Sequence, residues 1–298
     1  MAEFLQYTAS ALTLACTISL IATGWVLIYQ VSEVLNLAQG SFLVIGGLMF
    51  VSISHDLGVP VPLAIVLTVA LVASWGVASD IVVLRPARQV TGLAPIFITL
   101  GLAYVLGEVA RSLWGPDPLT APHFFTDRPF QIGGVLLQAQ AIVLWSATLC
   151  TFAVLWLVFG RTLIGKSMRA CAQSPRGAIL VGISPAHMRS LAFGIAAGLG
   201  ALAGAFLIPL SPISWADGLH IGLQGLVAAI LGRWSYAGAA AGAAVLAAAE
   251  TYTAGYISSA WKDAVWLALL IVVLLAAAAA PEIRRRLHAV RSARMVTA

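Results

Sequence analysis

Apolar runs close to 20 residues long recur along the whole chain, separated by short polar or proline-containing stretches. A run of this length is what an α-helix needs to cross the hydrocarbon core of a bilayer. The ten-residue alternating pattern of transmembrane β-strands does not occur in the sequence. We therefore predict an all-α polytopic membrane protein with about nine (eight to ten) transmembrane helices. The predicted spans lie at about 9–30, 36–54, 61–84, 93–113, 138–159, 190–210, 220–232, 236–256 and 264–280.

The stretches between the spans define the rest of the organisation. The seventh span, 220–232, is too short for a regular crossing and is predicted to be a broken or re-entrant helix. The two longest connections are an external loop at 114–137, rich in turn-forming residues, and a basic loop within 161–189. The whole chain, 1–298, is predicted to be a single transmembrane domain.

Composition agrees with a membrane protein. Residues are 61% hydrophobic and only 9% charged, and the mean hydropathy is +0.98. A soluble domain carries about 25% charged residues, so this chain has too little polar surface for a water-facing globule. We expect membrane lipid, not water, around most of its surface.

The basic residues predict the orientation. Thirteen of the sixteen Lys and Arg residues fall on one side of a nine-span arrangement, which the positive-inside rule assigns to the cytoplasm. This also explains the net charge of +5 without a nucleic-acid partner. Nine crossings place the N-terminus outside, whereas eight crossings with a re-entrant seventh segment place it inside. The sequence leaves both open.

Motifs for several catalytic chemistries do not occur in the sequence. It contains no P-loop for ATP, no zinc-protease motif and no nucleophile elbow. Its three cysteines lack metal-ligand spacing, and its five histidines are isolated from one another. We therefore expect no metal, no cofactor bound by this chain and no enzymatic activity of its own.

A polar stretch interrupts the second span. "LNLAQGSFLVIGG" places Asn36, Gln39 and Gly40 inside a long apolar region. Gln224-Gly225 begins a second copy of the pattern QG-x4-I-x-G, which in the nine-span arrangement runs in the opposite direction. Paired interrupted helices in inverted halves are typical of transport paths, although chance could also produce so short a match. We predict that the path includes Asn36, Gln39, Gly40, Gln224, Gly225 and Glu250.

Two sites carry charge within or near the spans. Glu108 and Arg111 are three residues apart and are predicted to pair on the surface of the fourth span. Glu250 lies deeper, in "AAAETY", where it either lines a polar path or reaches the interface.

The basic loop has the pattern of short amphipathic helices broken around Pro175. Such helices either lie on lipid or present a docking surface to a cytoplasmic partner. The segment "GKSMRACAQSPRGAILVGI" resembles the coupling loop of permease subunits from ABC-type branched-chain amino acid uptake systems. The Asn-x-Ala-Gln-Gly block from Asn36 to Gly40 also matches that family, as do "GLQGLVAAILG" and the Gly/Ala-rich helix that contains Glu250. The matching coupling positions are Gly165, Arg169, Ala170, Ala172, Ala178, Gly182 and Ile183.

The resemblance implies the partners. Two cytoplasmic ABC ATPase subunits would bind ATP and dock on the loop within 161–189, a second permease subunit would complete the path, and a periplasmic binding protein would deliver the substrate. The resemblance also implies an inner-membrane location and substrate selection mainly by the binding protein. The chain departs from the family pattern at Gln173, where an acidic residue is frequent, and at Arg233, where a second glycine usually follows Gly232.

Two alternatives remain open at the level of sequence. The same architecture could carry urea or short-chain amides, or the chain could be a channel or secondary carrier that needs no ATPase. The sequence does not fix the substrate, nor whether the second permease subunit is identical.

Overall fold

The computed structural model describes residues 2–89, 93–124, 130–132 and 135–275, and almost all of them are helical. One antiparallel hairpin, β1 (Phe130–Ile132) and β2 (Val135–Leu137), lies in the predicted external loop. Residues 125–129 and 133–134 of that loop lie outside the described residues. The main helices are α1 Ala2–Ser32, α2 Gln39–Val51, α3 Val61–Ser79, α4 Ala94–Trp114, α5 Ala139–Arg161, α6 Leu163–Gln173, α7 Pro175–Leu180, α8 Pro185–Leu207, α9 Asp217–Leu231 and α10 Tyr236–Tyr256.

Shorter turns extend this framework. Two π-helical turns, Ser52–Asp56 and Asp80–Leu84, continue α2 and α3, and two 3₁₀ turns occupy Pro86–Gln89 and Ser259–Trp261. Residues 262–275 are also helical and cover the first part of the predicted ninth span. The rest of that span and the basic C-terminal tail lie outside the described residues.

Five helices in the described part of the chain are long and apolar enough to cross a membrane: α1, α3 with its π-helical turn, α4, α5 and α8. The α9 helix is apolar but shorter, as the sequence predicted for the seventh span. The chain is therefore a multi-pass, all-α membrane protein. The number of crossings and the side of the N-terminus remain predictions.

The core lies where α1, α2, α8 and α9 meet. Eleven of the thirteen residues of α2 are buried, and α8 is buried along most of its length. The helices α3, α4 and α5 instead carry large exposed apolar side chains, including Leu71, Phe97, Tyr104, Leu149 and Trp156. Apolar surface of this kind is stable against lipid hydrocarbon, so these three helices form the expected lipid-facing side.

Small residues set the packing of α8. Gly200 and Gly204 bring its backbone against Phe42 and Leu43 of α2, and Gly194 faces Val77 of α3. Close approach through glycines is typical of helix contacts in membranes, where apolar burial alone gives no driving force. The glycine-rich run of this helix is therefore a packing motif, and the element directly before the helix is α7.

Candidate functional site: two interrupted helices and a two-helix loop

The α2 helix begins deep inside the bundle. Residues 33–36 are non-helical and follow the end of α1, and α2 then begins at Gln39. A side chain at Gly24 would collide with Gln39, and Gly24 lies eight residues, or about 12 Å, before the end of α1. The amide of Gln39 also reaches Ala196, which is near the middle of α8. The chain therefore returns into the bundle before α2 starts.

The α9 helix begins at the same depth. A methyl group on Gly40 would overlap the carbonyl oxygen of Gly218 and come within 2.5 Å of the amide nitrogen of Gly222. Conversely, a methyl group on Gly222 would lie 3.1 Å from the nitrogen of Gly40. The start of α2 and the first turns of α9 therefore cross backbone to backbone, and glycine is needed at this crossing because any side chain would fill the gap.

Each interrupted helix runs alongside one long helix. The α2 helix follows α8 in the same direction, because Gln39 contacts Ala196 and Gly47 contacts Gly204.

The α9 helix likewise follows α1 in the same direction. Gly225 packs against Ile21, and the side-chain amide of Gln30 donates a hydrogen bond to the carbonyl oxygen of Trp234, just beyond α9.

The long helices α1 and α8 are antiparallel, so α2 and α9 also run in opposite directions. Leu27 packs with Ala192, and Gly24 approaches Ala196, so residue numbers rise along one helix as they fall along the other. The other contacts fit a correspondence of α1 with α8, α2 with α9 and α3 with α10. The contact of α1 with α10 corresponds to that of α8 with α3, and the contact of α9 with α10 corresponds to that of α2 with α3. The two halves are therefore arranged as an inverted repeat.

The register of this repeat differs from the sequence match. The repeated letters align Gly40 with Gly225, whereas the reciprocal crossing pairs Gly40 with Gly222. Gln39 opens α2, but Gln224 lies in the middle of α9. The predicted inverted relation is present, but the letter-by-letter alignment is wrong by three residues. The backbone contact between glycines at the crossing determines the register, and the positions of the glutamines do not.

The side-chain amides of Asn36 and Gln39 form hydrogen bonds with the backbone inside the protein. The side-chain oxygen of Asn36 accepts a hydrogen bond from the backbone of Ala38 at 3.3 Å, which supports the turn before α2. Gln39 donates to the carbonyl oxygen of Ala196 at 2.8 Å. Both side chains are fully buried. Since unpaired backbone groups are costly in a membrane interior, these amides stabilise the interruption of the helix.

A cavity of about 890 Å³ lies between the start of α1, the start of α9 and the end of α10. Gln224 lines it and donates a hydrogen bond of 2.7 Å to Oε1 of Glu250, whose side chain is fully buried. Oε2 of Glu250 has no hydrogen-bond partner among the described residues. Other polar residues that line the cavity include Thr13, Asp217, His220 and Lys262. Of the six predicted path residues, Gln224 thus lines the cavity and Glu250 is hydrogen-bonded to it, whereas the other four lie in the packing between helices.

The end of α9 has an unusual backbone. Arg233 and Trp234 adopt left-handed conformations, with φ of +53° and +56°. Their backbone amides donate hydrogen bonds to the carbonyl oxygens of Ile230 and Ala229, respectively. These bonds end the helix in a left-handed turn, a position where glycine is the usual residue. The Trp234 ring stacks on Tyr29 at 3.9 Å between ring centroids. This contact packs the left-handed turn against α1.

The basic loop folds as two helices, as predicted. Thr162 caps α6 by accepting a hydrogen bond from the amide of Gly165, and Ser174 caps α7 by accepting one from Gly177. Pro175 occupies the first turn of α7, where a missing amide hydrogen has no cost. The break between the helices therefore follows from a serine cap followed by proline.

The predicted coupling residues divide by exposure. A side chain at Gly165 would collide with the backbone of Phe159, so this glycine permits the sharp turn from α5 into α6. Ala178 is buried, and Gly182 ends α7 with a φ of +80°. Ala170 and Ile183 are partly buried, whereas Arg169 and Ala172 are exposed.

The sequence reasoning missed an exposed apolar patch on this loop. Ile179, Leu180 and Val181 are 61%, 87% and 72% exposed at the end of α7. Contiguous exposed apolar side chains mark a contact surface for a protein or for lipid. We call these three residues the α7 patch.

The sequence reasoning also missed Asp80. This aspartate lies in an apolar run at the end of α3, and its side chain is fully buried. The distances from its carboxylate are 2.7 Å to Nε of Arg189 and 3.6 Å to Nε of Arg85. An acidic residue within a predicted span, followed five residues later by an arginine, was the available signal.

The predicted surface pair is present. The carboxylate of Glu108 lies 2.7 Å from Nε of Arg111, and both side chains are about half exposed. Within the described residues, no cluster of three or more potential ligands could hold a metal ion.

Comparison with known proteins agrees with this architecture. The family model described as "Branched-chain amino acid transport system / permease component" matches residues 7–274. The high-affinity branched-chain amino acid transport system permease proteins LivH of Escherichia coli strain K12 and BraD of Pseudomonas aeruginosa are each 29% identical to the chain, and each alignment covers 90% of this chain and 92% of the relative. A solved structure described as PsaBC from Streptococcus pneumoniae in complex with Fab has a similar fold, with a TM-score of 0.51, 11% identity and 89% of both chains covered.

Proposed function

Because the chain belongs to the family of branched-chain amino acid transport system permease components, we propose that it is the membrane permease subunit of an ATP-driven importer of branched-chain amino acids. The family match over residues 7–274 is the observation that carries this proposal. The inverted repeat with two interrupted helices supports it, because transport sites form where such helices meet. The chain itself would catalyse no reaction.

The path would run beside the α2–α9 crossing. The cavity offers the amide of Gln224 to a zwitterionic substrate, and the buried carboxylate of Glu250 is hydrogen-bonded to that amide. The other four predicted path residues would act through packing and not through direct contact with the substrate. They would hold the interrupted helices in place around the path: Asn36, Gln39, Gly40 and Gly225.

The nucleotide chemistry would belong to partners. Two ATPase subunits would dock on the α6–α7 loop, and the exposed Arg169 and the α7 patch give that loop a mixed basic and apolar surface. A second permease subunit would complete the path, and a periplasmic binding protein would deliver the substrate at the opposite end of the bundle. The cell inner membrane is the corresponding location.

Glu250→Gln tests the path. The substitution keeps a side chain of the same size next to Gln224 but removes the charge beside the cavity, which would attract the ammonium group of an amino acid. We expect leucine uptake to fall about tenfold, the consequence of losing ~1.4 kcal/mol of interaction. Uptake is measured in the assembled transporter, with Glu108→Gln, a half-exposed surface carboxylate, as the matched control. Equal uptake in the two variants would remove Glu250 from the path.

Arg169→Glu and Gly182→Glu test the coupling loop. The first reverses an exposed charge, and the second forces a side chain into the left-handed conformation that ends α7. We expect both to weaken co-purification with the ATPase subunits while the permease itself remains in the membrane at normal abundance. Unchanged co-purification and uptake in both variants would contradict the coupling role.

A further inference from the structure

Asp80 joins two helices at the end of the bundle that carries the α6–α7 loop. The aspartate begins the π-helical turn that ends α3, and its acidic side chain is fully buried. A buried carboxylate is stable only when cations and hydrogen bonds surround it. Its partners therefore show which elements must stay together.

All of those partners come from the end of α3 or the start of α8. The carboxylate of Asp80 faces the guanidinium of Arg189 at 2.7 Å and that of Arg85 at 3.6 Å. The hydroxyl of Ser190 donates to Asp80 at 2.5 Å and accepts from Nη2 of Arg85 at 2.8 Å. Nη2 of Arg85 also lies 3.4 Å from the carbonyl oxygen of Ala186. We call these residues the α3–α8 clamp.

The clamp follows the loop directly in the chain. Gly182 ends α7, α8 begins at Pro185, and Arg189 and Ser190 lie in the second turn of α8. A cavity of about 400 Å³ lies between this end of α8, the loop helices and the end of α1, and its lining includes Arg189 and Cys171. Beside it, Met168 of α6 packs on Ala192 of α8. The loop is thus connected to the helix that carries the clamp both through the chain and through direct packing.

The far part of α8 holds α2. Gly200 and Gly204 pack directly on the backbone of α2, and Ala196 accepts the hydrogen bond from Gln39 at the start of that helix. A movement of α8 along its axis must therefore displace the beginning of α2, where the two interrupted helices cross.

We propose that Asp80 is a positioning residue that fixes α3 to α8, so that a displacement of the α6–α7 loop moves both helices as one unit and shifts the α2–α9 crossing. This inference rests on the proposed function, since it supplies the route from the ATPase contact to the path. Replacement of a buried ion pair by well-packed apolar residues of similar volume is often harmless to stability, so stability alone does not account for an ion pair at this position.

The test uses the complete transporter reconstituted with its ATPases, second permease and binding protein. The variants are Asp80→Asn, Arg189→Gln and the double variant Asp80→Asn/Arg189→Gln, which removes Asp80 together with its nearer cation and leaves only Arg85, whose side chain is 31% exposed, without a carboxylate. Asp56→Asn is the matched control, because the Asp56 carboxylate is 64% exposed at the opposite end of the bundle. The measured quantities are the yield of assembled complex and the number of leucine molecules transported per ATP hydrolysed.

We expect the double variant to assemble in normal yield and to hydrolyse ATP, but to transport about tenfold fewer molecules per ATP, within the range of ~5- to 150-fold that coupling between sites typically spans. The control should match the wild type. Wild-type transport per ATP in the double variant would overturn the proposal, and so would a loss of assembly in all three clamp variants, which would show a role in folding alone. An absence of ATP-driven uptake by the wild-type complex would instead contradict the proposed function itself.

Discussion

Gly40→Ala is expected to remove most of the folded, transport-active permease from the membrane. A single methyl group at this position would overlap the carbonyl oxygen of Gly218 and lie within 2.7 Å of Gly222 atoms. These are backbone atoms of α9, so no side chain can turn aside to make room. Overpacking of a core typically costs ~1–3 kcal/mol, and contact with backbone should place this substitution at or above the upper end. That is a large part of the ~5–15 kcal/mol by which proteins are stable.

Gly101→Ala is the matched control for this prediction. Gly101 also lies within a long helix, α4, but a side chain there would meet no atom within 4 Å. Since alanine favours a helix over glycine by ~1 kcal/mol, this variant should be at least as abundant as the wild type. Abundance is measured by quantitative detection in isolated membranes, and folding by thermal stability of the detergent-extracted protein. A Gly40→Ala protein with the abundance and thermal stability of Gly101→Ala would contradict the backbone crossing of α2 and α9.

Leu180→Asp is expected to abolish both ATPase binding and uptake without any loss of folded permease. Leu180 is 87% exposed in the α7 patch, so its side chain contributes little to the fold of the isolated chain. An aspartate would place a charge in the middle of an apolar contact, where it would lose hydration without gaining a partner. Buried contact residues of this kind often account for ≥ ~2 kcal/mol of binding, which is enough to reduce affinity more than tenfold.

Leu57→Asp is the control for the patch. Leu57 is 72% exposed, and it follows α2 at the end of the bundle opposite the α6–α7 loop. The two variants therefore introduce the same charge on opposite ends of the molecule. Co-purification with the ATPase subunits should be lost only for Leu180→Asp, and its retention in both variants would place the docking surface elsewhere.

The sequence predicted the helices because their positions depend on local patterns in the chain. Apolar run length determines where a membrane helix lies, and each predicted span has a helix within the part of the chain that the structure describes. The loop helices were also predictable, because a serine followed by proline marks the start of α7 in the sequence itself. Such features depend on neighbours in the chain.

The register of the repeat and the clamp were not predictable because both depend on distant neighbours. Gly222 is one of many glycines in the chain, and only the approach of Gly40 gives it a special role. Asp80 and Arg189 are more than 100 positions apart, and nothing in the local sequence pairs them. The roles of the predicted coupling and path residues likewise depend on partners and on substrate, so they stay predictions that the variants above are designed to test.

The chain departs from the family pattern at Arg233 and Gln173, and the departure at Arg233 has a visible structural consequence. Arg233 stands where a glycine is usual and adopts the left-handed backbone that glycine adopts without strain. The stacking of Trp234 on Tyr29 offers a contact that stabilises this turn. Gln173 ends α6 on an exposed surface, next to the residues proposed to contact the ATPase.

The central claim is that this chain carries branched-chain amino acids in an ATP-driven complex, and uptake by the reconstituted transporter tests it most directly. Radiolabelled leucine would be supplied with the binding protein to proteoliposomes that contain both permeases and the ATPases, with and without enclosed ATP. Unlabelled isoleucine, urea and a short-chain amide would be added in turn as competitors. We predict uptake that requires ATP and that only the branched-chain competitor reduces. Uptake that continues without ATP, or that urea or the amide displaces in preference to isoleucine, would contradict the claim.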